Sequence, residues 1–327
     1  MKQKLINFLS SIPFINRFFG GIATIFMLHR VDEFEKGKLY PNENMKVSPK
    51  FLEEFIVELK NNGYEFISLD RLYEILQNQE KVNKKIVFTL DDGYKDNFTL
   101  AYPIFKKYNV PFTIYITTSF PEKKAILWWY SLEKLIVEND EIVVNNKKYS
   151  CKTYEEKNKV FLEIRELILK LNQKDLLNEL NKLFKNYNIN WYEFDDKLCM
   201  NWEDIVSLSK DSLCTIAGHT KNHYAFNKLS KEEIIKEIKE ANEKIESKIG
   251  KKIEHFAYPF GSGNEVGKKE IEIVKSFNFK TVTTTRRGNI YLEHKKYMNC
   301  CLPRIMLTEN FNLKNIGRIR KKRLVTI

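Results

Sequence analysis

Residues 86–93 read Ile86-Val87-Phe88-Thr89-Leu90-Asp91-Asp92-Gly93, an apolar, β-prone run that ends in two adjacent carboxylates and a glycine. Adjacent carboxylates repel, so a strand end gains no stability from holding both. A turn explains the triplet by itself, since Asp caps a bend and Gly accepts a positive φ. A second run changes that balance. His219-Thr220-Lys221-Asn222-His223 also follows a strand-like segment, Cys214 to Ala217. Two histidines at this spacing can converge on one ion. One Asp with two His leaves coordination positions open, which is the pattern of a catalytic site and not of a closed structural one. A water held there becomes acidic enough to react near neutral pH. The other Asp of the pair is then free to take its proton.

Such residues need elements that bring them together. The stretch Ile22 to Leu28 reads as an apolar strand that ends at His29-Arg30. Ser48-Pro49 opens a helix whose apolar face is Phe51, Leu52, Phe55, Ile56 and Leu59, and Gly63 ends it. Strands are predicted to begin near residues 22, 66, 86, 111, 214, 253 and 279, most of them followed by a helix. That alternation predicts an α/β fold with a parallel sheet, either a barrel or open. In such folds functional residues sit at the C-terminal strand ends. His29, Asp91, Asp92, His219 and Pro259 all fall there. Residues 122–200 break the alternation: Val160, Ile164, Leu167, Ile168 and Leu171 recur at threes and fours, which predicts a helical insertion. Trp128 and Trp129 open it, as core or lid residues or as a platform for sugar C–H faces.

Composition narrows the function classes. The chain has 327 residues, with 43% hydrophobic and 30% charged, the balance of a soluble globular protein. The formal net charge is +12, but the lysines are spread along the chain and no zinc-finger, RNP-like or heptad pattern accompanies them, so no specific nucleic-acid partner is expected. Five cysteines, an odd number without a C-x-x-C pair, predict neither a disulfide framework nor a cysteine zinc site, and fit a cytoplasmic protein. Residues 1–19 form an amphipathic N-terminal segment with Phe14, Ile15, Phe18 and Phe19 beside Lys2, Lys4 and Arg17. It packs on the domain or touches an anionic membrane at the cytoplasmic face. Residues 20–317 are the expected barrel domain, and 318–327 a basic tail.

With these motifs in place the chain resembles the polysaccharide deacetylases of carbohydrate esterase family 4, the NodB homology domain. The family's T-F-D-D-G is matched by Thr89-Leu90-Asp91-Asp92-Gly93 and its H-[ST]-x-x-H by His219 to His223. The resemblance implies a distorted seven-stranded (β/α) barrel and the metal-dependent removal of acetyl groups from an N-acetylated sugar of a surface glycan or its precursor. It implies Asp91 as general base and Asp92, His219 and His223 as ligands of a divalent ion. Zinc is the first expectation, with nickel or cobalt as alternatives. The oxyanion would be held by the ion and a backbone N–H near Tyr258-Pro259-Phe260.

Other family motifs depart. Ala257 stands where R-x-P-[FY] has arginine, and no Trp follows Trp202 to complete D-x-x-x-W. The run Phe256 to Gly261, together with Leu28-His29-Arg30, is similar to the subgroup acting on poly-N-acetylglucosamine. By that similarity His29 is the first choice for general acid, ahead of His294. Arg304 is the candidate to replace the missing arginine and tune the base, with a purely structural ion pair as the competing reading. His255 reads as a packed or surface histidine. The missing motifs also keep open a carbohydrate-binding protein with weak or no catalysis.

Overall fold

The alternation of apolar and β-branched residues in the seven longest parallel strands is the period that lets each strand face two ways. In the computed structural model, which describes residues 21–316, those strands are β1 (Ala23–Leu28), β2 (Lys85–Leu90), β3 (Phe112–Ile116), β4 (Cys214–Gly218), β5 (His255–Ala257), β6 (Thr281–Arg287) and β7 (Leu302–Met306). Each pairs in parallel with the next in chain order. Pairing of β7 with β1 and of β1 with β2 closes the ring, with Phe26 opposite both Ile305 and Phe88. The two side-chain sets separate accordingly. Phe26, Phe88, Phe112, Ile114 and Phe256 belong to the layer between barrel and helices. Ile25, Val87, Tyr115, Ala217, Ala257 and Leu302 form a smaller core with Leu69 and Leu72.

The longer helices are α1 (Pro49–Asn61), α2 (Leu69–Asn78), α3 (Tyr102–Tyr108), α4 (Trp128–Val137), α5 (Tyr154–Ile168), α6 (Leu176–Leu183), α7 (Trp202–Ser209), α8 (Lys231–Ile249) and α9 (Lys268–Lys275). Helix α1 starts as its sequence dictates: the Ser48 hydroxyl accepts the Phe51 N–H, Pro occupies the first turn, and Leu52, Phe55, Ile56 and Leu59 are buried. Helix α8 begins with the Ser230/Glu233 capping box and ends at Gly250, whose φ is 68°.

Three expectations are corrected. The strand predicted near residue 66 is only Glu65–Phe66, which pairs with the start of β2 outside the ring. The seventh barrel strand is instead β7, whose Pro303 and Arg304 hide its pattern. The insertion is not all helical, since Glu141–Val144 and Lys147–Ser150 form an antiparallel hairpin between α4 and α5. Helices α4, α5 and α6 share a core of their own, including Trp128, Phe161, Ile164 and Leu180. The segment before α3 is a π-helical turn, Asn97–Ala101. No described helix is long and apolar enough to cross a membrane. The amphipathic segment 1–19 and the basic tail 318–327 lie outside the described residues.

Candidate active site

Strand β2 delivers its two carboxylates to different neighbours. Asp91 continues the ladder, its N–H donating to the Leu28 carbonyl at 2.9 Å. Asp92 then takes a φ of 76° and Gly93 one of 98°. A non-glycine residue in that region is costly and recurs at functional sites. The turn swings the Asp92 side chain away from that of Asp91, and both are almost fully buried.

Asp91 is held by Arg304 from β7. Nη1 donates to Oδ1 at 2.6 Å and Nη2 to Oδ2 at 2.7 Å. The guanidinium also donates to the Thr284 carbonyl at 3.0 Å and the Thr89 hydroxyl at 3.1 Å, and lies 5.4 Å from the centre of the Tyr115 ring. Burial pushes the Asp91 carboxyl up, but the Arg304 charge and hydrogen bonds outweigh it and hold the group below the usual range. Arg304 is itself held above its ordinary value: burial lowers it, and the Asp91 charge more than compensates.

Asp92 faces the histidines that follow β4. Its Oδ1 lies 3.3 Å from Nε2 of His219 and 3.2 Å from Nε2 of His223. On His219 the other ring nitrogen, Nδ1, is 2.7 Å from the Ala257 carbonyl. A carbonyl only accepts, so Nδ1 carries a hydrogen and the neutral ring presents its Nε2 lone pair toward the carboxylate. His223 reaches the cluster through positive φ values at Thr220 (71°) and at His223 itself (58°), and its N–H donates to the Thr220 hydroxyl at 3.1 Å. The Glu237 carboxylate fixes the intervening Asn222 through backbone and side chain.

The three ligand atoms lie within 4.8 Å of one another, and Asp92 Oδ1 is buried without a hydrogen-bond donor. A neutral ring nitrogen facing a buried carboxylate oxygen is repulsive unless a proton or a metal cation sits between them. These residues therefore fit a metal: an N₂O donor set with positions left open suits a catalytic zinc or a similar borderline ion.

His29, directly after β1, places Nε2 4.0 Å from Asp91 Oδ2. Its Nδ1 is buried without a partner, and the side chain is 15% exposed. Burial pushes its pKa down, against the pull of the Asp91 and Asp92 charges. In the Tyr258-Pro259-Phe260 loop the three candidates separate. The Tyr258 N–H donates to the Thr283 carbonyl at 3.3 Å and its hydroxyl to the Cys300 carbonyl at 2.9 Å, so neither is free for an oxyanion. Pro259 has no N–H. Phe260, with a φ of 58°, is the one of the three whose N–H meets no acceptor among the described residues, and its ring centre lies 4.8 Å from that of His223.

The remaining histidines lie elsewhere. His294 accepts from the Tyr291 N–H near Ile290, which pairs with the opposite end of β1. His255 is packed at the start of β5 between Thr281 and Asp70.

Sequence reasoning offered Trp129 as a lid residue or sugar platform but did not place it beside the cluster or foresee its partners Tyr94 and Arg30. Trp129 of α4 donates its indole N–H to the Tyr94 hydroxyl at 3.2 Å, and its ring centre is 6.0 Å from that of His223. Arg30 sits under Tyr94 and Tyr130, donating to Asp96 at 2.6 Å and to the Tyr130 hydroxyl at 3.2 Å. The signals were present, since Tyr94 follows Gly93 and Arg30 follows His29. Nothing in a linear pattern ties them to residues 129–130.

Known proteins share this arrangement of elements. The Streptococcus pyogenes deacetylase PplD, in complex with acetate, superposes with a TM-score of 0.59 at 18% identity, covering 91% of this chain and 97% of that one. A de-N-acetylase from Aggregatibacter actinomycetemcomitans gives 0.57 at 16%, covering 90% and 99%. IcaB from Ammonifex degensii gives 0.57 at 15%, covering 91% and 97%. At these identities the likeness is one of fold. The curated protein YxkH of Bacillus subtilis (strain 168), which bears the name of a polysaccharide deacetylase, is 34% identical over 74 residues. That match spans 22% of this chain and only 26% of that protein. The sequence pattern of the family described as Polysaccharide deacetylase matches residues 78–282, more than half of the chain, and takes in Asp91, Asp92, His219, His223 and Phe260. The chain belongs to the polysaccharide deacetylase family.

Proposed function

We propose that the protein hydrolyses N-acetyl groups from an N-acetylated sugar of a surface polysaccharide or its precursor, with a divalent metal, zinc first, held by Asp92, His219 and His223. The observation that carries this reading is the division of labour within one dipeptide. Asp91 is an ionised carboxylate clamped by Arg304, while Asp92 turns one buried oxygen toward two imidazole nitrogens 3.2–3.3 Å away. The ion's contribution is Lewis acidity, which brings a water's pKa toward neutrality. Asp91 takes a proton from the attacking water. Arg304 occupies both of its oxygens and still leaves each with a second lone pair. The Phe260 N–H donates to the developing oxyanion. His29 delivers a proton to the sugar nitrogen as the C–N bond breaks, leaving acetate and a free amine. Trp129 and Tyr94 wall the His223 side and restrict how a sugar ring enters.

The test is acetate release from N-acetylglucosamine oligomers by protein loaded with defined divalent ions. Asp91→Asn is expected to lower turnover by about 10²–10⁴-fold with metal content unchanged. Full turnover in that variant would remove Asp91 from the role of base. Retention of the glycan without acetate release from any N-acetylated substrate would replace the enzyme with a binding protein.

A further inference from the structure

The two ends of the described chain leave the barrel at one place, the mouth opposite the Asp/His cluster. The Ile22 N–H donates to the Ile290 carbonyl at 2.8 Å. Asn289, only 2% exposed, joins the two ends through one side chain. Its Oδ1 accepts from the Thr24 hydroxyl at 3.0 Å and its Nδ2 donates to the Ile316 carbonyl at 2.6 Å. His29 stands at the far end of β1, roughly 20 Å away along the strand at ~3.3 Å per residue.

This mouth is basic. A groove beside Gly21 is lined by Lys81, Val82 and Asn83 on one side and by Tyr291, Leu292 and Glu293 on the other. Gln79 donates to the Leu292 carbonyl and Lys295 to the Gln77 carbonyl, so the two segments are joined. Lys81, Lys84, Lys295 and Lys296 are exposed, and none has a carboxylate within ion-pair distance among the described residues. Some lysines elsewhere on the surface are paired, as Lys106 is with Asp211 and Lys107 with Glu53; what marks this mouth is that its four unpaired lysines stand where both ends of the described chain leave the barrel.

The chain that continues from this mouth has matching chemistry. Residues 1–20 and 317–327 contain no Asp or Glu. They contribute eight basic residues to a chain of formal net charge +12, with Phe8, Phe14, Phe18 and Phe19 among them. Clustered basic residues interleaved with aromatic ones fit an anionic lipid surface, where charge attracts and rings bury in the headgroup region.

We propose that this mouth is a docking surface for an anionic lipid bilayer. Bound in this way, the barrel presents its His29/Asp91 end away from the membrane, toward a glycan that extends from or along it.

The full chain is tested by sedimentation with phosphatidylcholine vesicles with and without phosphatidylglycerol, combined with lysine-acetylation footprinting. Binding is expected only with phosphatidylglycerol and is expected to weaken with salt. The combined surface variant Lys81→Glu, Lys295→Glu, Lys296→Glu, with unchanged melting, is expected to bind at least about tenfold more weakly. On the vesicles Lys81, Lys295 and Lys296 should be protected while Lys221, beside the histidine loop, stays reactive. The proposal is overturned by equal binding to pure phosphatidylcholine, by a triple variant that binds like the parent, or by protection of Lys221 with Lys81 left reactive. Equal displacement by duplex DNA at matched phosphate concentration would also overturn it, in favour of general polyanion binding. None of these readouts uses deacetylation, so failure here leaves the enzymatic reading untouched, and the reverse also holds.

Discussion

Arg304 and Asp91, 213 positions apart in sequence, form a two-pronged ion pair inside the barrel, with both side chains essentially without solvent contact. The pair joins the seventh strand to the second across the closure of the sheet. Removing one partner strands the other as a buried charge, which costs roughly 3–5 kcal/mol. Arg304→Ala is therefore expected to lower the urea midpoint far more than an exposed Arg→Ala change. Arg304→Lys should rescue little, because a single ammonium cannot reproduce the fork on two oxygens and the contacts to Thr284 and Thr89. If Arg304→Ala unfolds at the parental urea concentration, the pair contributes nothing net to the fold.

The close grouping of Asp92, His219 and His223 makes a prediction that needs no substrate. An ion that binds the folded chain and not the unfolded one stabilises it by about 2.7 kcal/mol at a hundredfold excess over Kd. For a domain of this size that corresponds to a rise in Tm of roughly 4 °C. Adding zinc after chelation should produce this rise in the parent and none in Asp92→Ala. An unchanged Tm in the parent across added zinc, nickel and cobalt would mean that the cluster does not bind these ions.

Some of this was legible in the sequence and some was not, for physical reasons. The Asp pair and the His pair each lie within a few residues, so their spacing on a strand end survives in one dimension. The Arg304 contact does not. Its strand, Leu302–Met306, carries a proline and an arginine where periodicity asks for apolar residues, because Arg304 faces the site and not a hydrophobic layer. Glu65–Phe66 drew the seventh count in its place, since the apolar run there continues into the start of α2. The total of seven was right while its membership was not. Arg304 could be named only through a family likeness. The Tyr94–Trp129 contact depends on where an insertion packs, which no local pattern encodes.

The role of His29 can be separated from that of Asp91 by the leaving group. An amine needs a proton to depart from an amide carbon, whereas a stabilised phenolate departs without one. His29→Gln is expected to lower acetate release from an N-acetylated sugar by about 10²-fold or more, and to lower hydrolysis of an aryl acetate by much less. Asp91→Asn should depress both. Equal losses on the two substrates in His29→Gln would show that His29 acts by position alone, through its contact with Asp91 at 4.0 Å.

Asp195 makes the pH dependence of stability predictable away from the site. It is 2% exposed, its Oδ2 accepts the Ala125 N–H at 3.1 Å, and its Oδ1 has no partner. Burial pushes its carboxyl up to about 7, from an ordinary 3.8, despite the Ala125 hydrogen bond and the nearby Lys123, and Asp196 adds to the rise. The folded protein therefore keeps this proton between about pH 4 and 7, where the unfolded chain has lost it. The state that binds more protons is favoured at low pH, so this group's contribution to stability falls as pH rises through that window and is flat above it. Asp195→Asn keeps the acceptor for Ala125 and removes the titration. Its urea midpoint should gain on the parent's from pH 4 to about pH 7 and hold that gain at pH 8. Parallel midpoints for the two proteins over that range would mean that Asp195 ionises with its ordinary affinity and that solvent reaches Oδ1.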